Sequence, residues 1–308
     1  MTRRELQQAR LRAVRRAKVQ ARNEPPRLTA AEEGINAGSH GAGALLAAAA
    51  LCLLLLKSHT PMEVLASCVY GVSMVLMMLM SGVYHAMPTG SRAKRVCRRF
   101  DYTSIYLLIG GTFAPVLLLY LGGTAGIAMF CVQWLVILAG VSVVALFGPG
   151  RWPALHFTLY FLIGWSGLVF LPGMLRNAPV LLAYIFAGGL LYTLGMIPFV
   201  LKKKYSHCVW HMFVLAAAAL HWAGIYTQLY LRYRFSRNPK TESKAIDGRI
   251  VRGLAFLHLL EVFQCNCSVF LLEFLNAQAY HMFQFTCFCA GLVPCNEFEF
   301  IQQLLWNT

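Results

Sequence analysis

Two histidines, His207 and His211, stand four residues apart at the start of the apolar run "SHCVWHMFVLAAAALHW". On a helix this spacing places both imidazoles on one face, roughly 6 Å apart, which is the separation that two ligands of one metal ion need. Ionisable groups are costly in a strongly apolar segment and usually face a bundle interior or a water-filled cavity. The pair therefore predicts part of a metal site.

Further polar groups occur at the ends of other apolar segments. His85 lies in "SGVYHAMPTG", with Ser81 one helical turn before it on the same face, and Asp101 lies in "RRFDYTS". His40 stands in "EEGINAGSHGAG", at the start of the first apolar segment. If successive segments alternate in direction, all these groups reach the same end of the bundle as His207. Polar residues placed at random would not all select one end, so we expect a shared site.

The residue types at this shared end indicate a zinc site. We expect His85, His207 and His211 to be the ligands, with the fourth position left for water, as in catalytic zinc sites. Asp101 is the expected catalytic residue that accepts a proton from that water or orients a ligand, and Ser81 is expected to hydrogen-bond the water or polarise a substrate carbonyl. Any one histidine alone is better explained as an interhelical hydrogen-bonding residue, but the whole set favours the metal site.

The elements that must position these residues are membrane-spanning helices. Of the 308 residues, 58% are hydrophobic and only 13% are charged, which is more apolar than a soluble domain. The apolar blocks are near the ~20 residues that a helix needs to cross a bilayer, and they do not alternate as barrel strands do. We predict an all-α polytopic membrane protein, a seven-transmembrane helix bundle with spans near 38–57, 63–86, 102–121, 124–147, 153–172, 180–201 and 208–231.

Basic residues set the predicted orientation. Arg and Lys crowd the first 36 residues and the loops after the second, fourth and sixth spans, whereas the other loops hold little beyond Lys57 and Arg176. By the positive-inside rule the N-terminus is cytoplasmic and residue 231 lies on the opposite side. Much of the net charge of +15 then serves to orient the spans in the membrane, and anionic lipid headgroups are its expected partner. Because these residues flank spans and form no single basic face, nucleic-acid binding is not expected.

The sequence divides into three regions. We predict that residues 1–36 are a basic cytoplasmic tail with no cleavable signal peptide, either a surface helix up to about Arg22 or a disordered tail. A mitochondrial presequence is the third alternative, which Arg favours and which Glu5 and the scarcity of Ser oppose. Residues 37–231 form the seven-transmembrane domain. Residues 232–308 comprise a basic linker and an apolar, cysteine-rich extension, which we interpret as membrane-surface helices. Its two C-x-C pairs lack the usual C-x-x-C spacing, so lipidated or disulfide-bonded cysteines are favoured over a second metal site, and an appended tail with no dedicated function is favoured over both.

Three segments carry a resemblance to a known family: "SGVYHAMPTGSRAKRVCRRFDYTSIYLLIGGTFAPVLLLYLG", "YSHCVWHMFVLAAAALHWAGIY" and "EEGINAGSHGAG". Over roughly residues 30–231 the sequence resembles the hemolysin III family, the bacterial-type branch of the progestin and adiponectin receptor group. The resemblance implies seven helices, a cytoplasmic N-terminus and a zinc site near the cytoplasmic face with three histidine ligands. Carried onto this sequence, those ligands are His85, His207 and His211, and Asp101 and Ser81 match the acidic and serine positions.

Two classes of function follow. The wider superfamily includes alkaline ceramidases, so the resemblance implies a zinc-dependent hydrolase of lipid amides, with membrane lipids as partners and a ceramide-like lipid as substrate. The alternative is a non-catalytic receptor or scaffold in which zinc is structural and His40 or Asp101 closes the fourth position. The short basic tail lacks the long cytoplasmic region of adiponectin receptors, which speaks against hormone recognition.

Overall fold

The computed structural model describes residues 2–201 and 203–231. Every regular element in these ranges is helical: α1 (Arg3–Asn23), α2 (Ala30–Lys57), α3 (Pro61–Ala86), α4 (Arg92–Pro115), α5 (Gly123–Phe147), α6 (Pro153–Trp165), α7 (Leu171–Asn177), α8 (Pro179–Leu201) and α9 (Ser206–Ile225). Short π-helical segments extend α4 to Leu121 and α9 to Leu231, and a 3₁₀ turn joins α6 to α7. The predictions for residues 232–308 lie outside the described residues.

Seven of these helical stretches are long and apolar enough to cross a membrane. They are α2, α3, α4 with its extension, α5, α6 joined to α7, α8, and α9 with its extension. The predicted all-α, seven-transmembrane fold is confirmed, and the chain is a multi-pass integral membrane protein. The agreement is good because a span is defined by the length of an apolar run, which is a local property of the sequence.

The first spanning helix begins earlier than its apolar block. Thr29 and Glu32 form a capping box, in which the Thr29 hydroxyl accepts from the Glu32 amide and the Glu32 carboxylate accepts from the Thr29 amide. This cap starts α2 at Ala30, whereas the apolar block was predicted to begin at residue 38. His40 therefore lies about three turns inside α2 rather than at its beginning, and the polar segment "EEGINAGS" is helical.

The connection between α3 and α4 is short. Helix α3 ends at Ala86, two residues before Pro88, since the residue that precedes a proline disfavours helical geometry. Gly90 adopts a φ of +82°, which favours glycine, and Ser91 then caps the backbone amide of Lys94. The tight turn brings the first turn of α4 back beside the last turn of α3.

Helix α2 packs against both α3 and α9, and α3 packs against α4. The α2–α3 contact is close: a Cβ atom added to Gly82 would lie 3.2 Å from the Gly41 backbone nitrogen and 3.5 Å from the Ala37 carbonyl oxygen. Small residues allow such close backbone approach between membrane helices. This packing places the N-terminal part of α2 between the end of α3 and the beginning of α9.

The N-terminal basic segment forms helix α1, as one of the three alternatives predicted. Its C-terminal end is attached to the rest of the chain through Asn23, whose Nδ2 donates to the Phe147 carbonyl at 3.1 Å and whose Oδ1 accepts from the Gly150 amide at 2.7 Å. Arg98 donates to the carbonyl of Arg22 at 2.9 Å. The basic segment is thereby joined to the ends of α4 and α5.

The orientation of the bundle remains a prediction that fusion reporters test. A reporter at the N-terminus is expected on the cytoplasmic side and a reporter after Tyr230 on the opposite side, because basic residues are concentrated in alternate loops. Finding both reporters on one side would rule out the seven-span topology. The sequon "NCS" at Asn266 supplies a second check, since a glycan there requires the far side of the membrane.

Candidate metal centre

Three imidazoles meet where the end of α3 lies beside the beginning of α9. The group consists of His85, His207 and His211, whose candidate ligand atoms all lie within 4.8 Å of one another. The Nε2 atoms of His85 and His207 are 3.2 Å apart, and the ring centroids of His207 and His211 are 4.8 Å apart. The structure thus brings together the three residues that the sequence predicted as ligands.

The geometry and donor types of this group fit a metal ion. Zn–N bonds of about 2.0 to 2.1 Å in a tetrahedral site place ligand nitrogens roughly 3.3 Å apart, close to the 3.2 Å between the nitrogens of His85 and His207. His85 and His211 are only 2% and 1% exposed, and His207 is half-buried. Imidazole suits zinc, copper, iron and nickel alike. The buried triad can therefore hold a metal ion.

Glu33 fixes the orientation of one ligand. One carboxylate oxygen of Glu33, Oε2, lies 2.7 Å from Nδ1 of His85. A carboxylate on one ring nitrogen selects the tautomer that presents the other nitrogen to a metal. In this arrangement Nε2 of His85 faces His207. The sequence analysis missed this role, although "EEG" placed two carboxylates just before an apolar run, which is itself an unusual pattern.

Glu32, the neighbour of Glu33, holds the beginning of α9. Besides capping α2, its Oε1 accepts a hydrogen bond from the backbone amide of Tyr205 at 2.7 Å. Tyr205 precedes α9 with a φ of +61°, a conformation that non-glycine residues rarely adopt. Because His207 and His211 lie in the first turns of α9, this bond helps to set the height at which their rings reach the site.

A fourth buried imidazole, His40, lies against the triad. Its ring stacks on that of His211, with centroids 3.7 Å apart and an interplanar angle of 14°. His40 is 2% exposed, and within the described part of the chain neither of its ring nitrogens has a hydrogen-bond partner. Ser39 approaches Nδ1 of His211 at 3.4 Å. His40 therefore packs on a candidate ligand and stands outside the three-histidine group.

Asp101 and Ser81 lie beside the triad. Helix α4 begins at Arg92, so Asp101 sits in its third turn rather than at the start of a span. The Asp101 carboxylate pairs with the hydroxyl of Ser81 and is near enough to His85 to interact electrostatically. Ser81 is 2% exposed and occupies α3 one turn before His85. Over the residues described, Asp101 does not belong to the group of convergent ligand atoms.

His221 lies farther along α9 and is separate from the site. Ten residues on a helix span about 15 Å, so His221 cannot share a metal with His211. Its Nε2 instead donates to the carbonyl of Ile185 on α8 at 2.9 Å. His221 is therefore a hydrogen-bonding residue between α9 and α8.

A cleft of about 370 Å³ opens next to the triad, between the beginning of α2 and the end of α3. Glu33, His85 and Thr89 provide its polar wall, and Gly34, Ala37 and Met87 contribute the rest of the surface near the site. No atom lies within 4 Å of where a Cβ of Gly34 would stand, so the wall is open there. The cleft thus reaches the edge of the site, while His85 itself is only 2% exposed.

Comparison with known proteins is consistent with this geometry. The family model described as "Haemolysin-III related" matches residues 28–222, which include all three triad histidines. "Hemolysin-3" of Bacillus cereus is 34% identical over 194 residues, covering 61% of this chain and 88% of the relative. The "Hemolysin-3 homolog" of Bacillus subtilis is 32% identical over 196 residues, covering 62% of this chain and 91% of the relative.

A human protein is also similar. The "Monocyte to macrophage differentiation factor" of Homo sapiens is 28% identical over 221 residues, covering 70% of this chain and 90% of that protein. It is related to the progestin and adiponectin receptor group, so the similarity extends beyond the bacterial proteins. The family-model match, residues 28–222, covers most of the membrane-spanning region and ends before residue 232.

Proposed function

The chain belongs to the haemolysin III-related family of membrane proteins, and from that premise we propose that it is a zinc-dependent hydrolase of lipid amides. The single observation that carries this proposal is the buried triad of His85, His207 and His211. Catalytic zinc sites use three protein ligands and keep one position open, whereas structural sites are closed by a fourth protein ligand. Within the described residues three candidate ligands converge, and neither Glu33, which bonds Nδ1 of His85, nor Asp101 belongs to the convergent group.

Zinc in such a site supplies Lewis acidity and makes water acidic enough to be a nucleophile near pH 7. Hydrolysis of an amide adds the hydroxyl of water to the acyl carbon, breaks the C–N bond and transfers a proton to the departing nitrogen. Asp101 is the proposed group that accepts the proton from the attacking water and returns it to the amine. The Ser81 hydroxyl, paired with the carboxylate, orients Asp101 toward the site.

A lipid is the proposed substrate because the site is built from helix ends in a membrane protein. His207 is half-buried near Phe199 of α8, with ring centroids 5.7 Å apart, so an apolar chain has a wall to lie against. The cleft beside Glu33, on the α2–α3 side, is the proposed route for water and for polar products. A ceramide-like lipid combines the required amide with two apolar chains.

The alternative is a receptor or scaffold in which the metal only ties α3 to α9. His40 favours it, because this fourth buried imidazole stacks on His211 and both of its nitrogens lack partners within the described residues. A rotation that brought one of these nitrogens to the metal would close the site. The two functions therefore differ in whether the fourth position stays open to water.

Assay of the purified full-length protein separates these functions. Zinc-loaded protein is expected to release fatty acid and amine from ceramide in lipid micelles, and removal of the metal is expected to abolish that release because the water is no longer activated. His85→Ala should be inactive, while His221→Ala, which removes an imidazole that bonds the Ile185 carbonyl away from the triad, should retain activity. Zinc-loaded protein that cleaves neither ceramide nor related lipid amides would favour the receptor or scaffold.

A further inference from the structure

Lys94 is a fully buried lysine, with 0% of its side chain exposed, in the first turn of α4. Its ammonium group donates to the carbonyls of Tyr84 at 3.1 Å, His85 at 3.4 Å and Met87 at 3.1 Å. It also forms an ion pair with Oε1 of Glu33 at 2.9 Å. A buried charge is strongly destabilising unless it is paired and hydrogen-bonded, and Lys94 satisfies this condition through groups that surround His85.

The carbonyls that Lys94 binds lie at the C-terminal end of α3, where helix carbonyls lack partners within the helix. A cation at this end satisfies those carbonyls and is favoured by the helix dipole. Lys94 thereby fixes the backbone of the turn that carries His85. The ion pair with Glu33 acts on the same residue through the side chain, because the other oxygen of Glu33 binds the imidazole of His85.

We propose that Glu33 and Lys94 are positioning residues that hold His85 with Nε2 directed at the metal position. Lys94 holds the backbone of His85 and one oxygen of Glu33, and Glu33 holds the ring through Nδ1. Without the carboxylate, the imidazole is free to rotate or to adopt the other tautomer. The inference rests on the proposed metal centre and deepens it, since it assigns to α2 and α4 the task of orienting a ligand on α3.

The alternative explanation is that the ion pair only stabilises the packing of α2, α3 and α4. Loss of a group that orients a metal ligand lowers metal affinity by about 10-fold to 100-fold. Loss of a packing interaction lowers the temperature of unfolding of the metal-free protein and leaves the affinity of the folded protein largely unchanged. Zinc affinity and metal-free stability therefore distinguish the two explanations.

The test measures zinc affinity of the purified full-length protein by chelator competition, and the absorption spectrum of the cobalt-substituted protein. Glu33→Gln is expected to lower zinc affinity by about 10-fold to 100-fold and to change the cobalt spectrum. The amide oxygen of the glutamine pairs with the Lys94 ammonium, so its NH2 group, which is a donor, faces Nδ1 of His85 and cannot accept a hydrogen bond from it. Glu63→Gln is the matched control, since Glu63 caps the opposite end of α3. It should leave both quantities unchanged.

The variant Lys94→Met tests the second positioning residue. Without the ammonium, the carbonyls of the His85 turn and one oxygen of Glu33 lose it as a partner, so zinc affinity should fall although Glu33 is retained. Wild-type zinc affinity and an unchanged cobalt spectrum in Glu33→Gln would overturn the inference while leaving the metal centre intact. A wild-type protein that binds no zinc would overturn both.

Discussion

Replacing both His207 and His211 by Ala is expected to abolish stoichiometric zinc binding. The two residues supply two of the three nitrogens that converge in the buried group, and the one remaining imidazole, that of His85, cannot hold the ion against water and competing ligands. The measurement is the metal content of purified protein after dialysis against a trace of zinc. The loss of zinc should be close to complete, since only one of the three ligand nitrogens is left.

The matched control for that variant is His221→Ala. His221 lies on the same helix and is also buried, but it bonds the Ile185 carbonyl and lies too far along α9 to join the triad. It should retain wild-type zinc. Zinc retained by the double variant would refute the ligand assignment, and zinc lost from both proteins would indicate general damage to α9.

Replacing Asp101 by Asn is expected to lower the turnover of lipid-amide hydrolysis by roughly 100-fold to 10,000-fold, the range that general acid–base catalysis supplies. Asparagine keeps the shape of the side chain and its capacity to bond Ser81 but cannot accept the proton of the attacking water. Zinc content should change far less than turnover, because Asp101 lies outside the three-histidine group. The measurement is the initial rate with ceramide at saturating concentration, alongside metal analysis.

The Asp101 variant also discriminates between the two proposed functions. If Asp101→Asn strips the metal, then Asp101 is a ligand or an indispensable orienting group, and the centre is better described as structural. Ser81→Ala is the companion variant: it removes the hydroxyl that pairs with Asp101 and is expected to reduce turnover less than Asp101→Asn, with zinc retained. Equal rates in wild-type and Asp101→Asn protein would exclude Asp101 as the general base.

Much of the fold was determined by the sequence alone. The seven spans are continuous apolar runs of membrane-crossing length, and such runs are read directly from composition and position. The triad was also predictable, since His85, His207 and His211 occur at helix ends that alternate to the same side. Antiparallel helices of similar length force those ends to meet, even though His85 and His207 are 122 residues apart in sequence.

The tertiary structure decided what surrounds the triad. Lys94 resembled one more basic residue of a cytoplasmic loop, because the positive-inside rule counts charges and says nothing about the direction of a side chain. The turn at Gly90 directs it inward, onto the end of α3 and Glu33. Likewise, the sequence gives no means of pairing Glu33 with His85 across 52 residues.

The same distinction explains His40 and Asp101. The sequence placed both at the level of the triad from the positions of their apolar blocks, although α2 and α4 begin well before those blocks. Whether a side chain at that level enters the site depends on the rotation of its helix about its own axis, and packing sets that rotation. In the packed bundle the His40 ring stacks on that of His211, and the Asp101 carboxylate lies beside Ser81. The sequence thus determined the level of these side chains along the bundle, whereas helix packing decided the direction in which each side chain points.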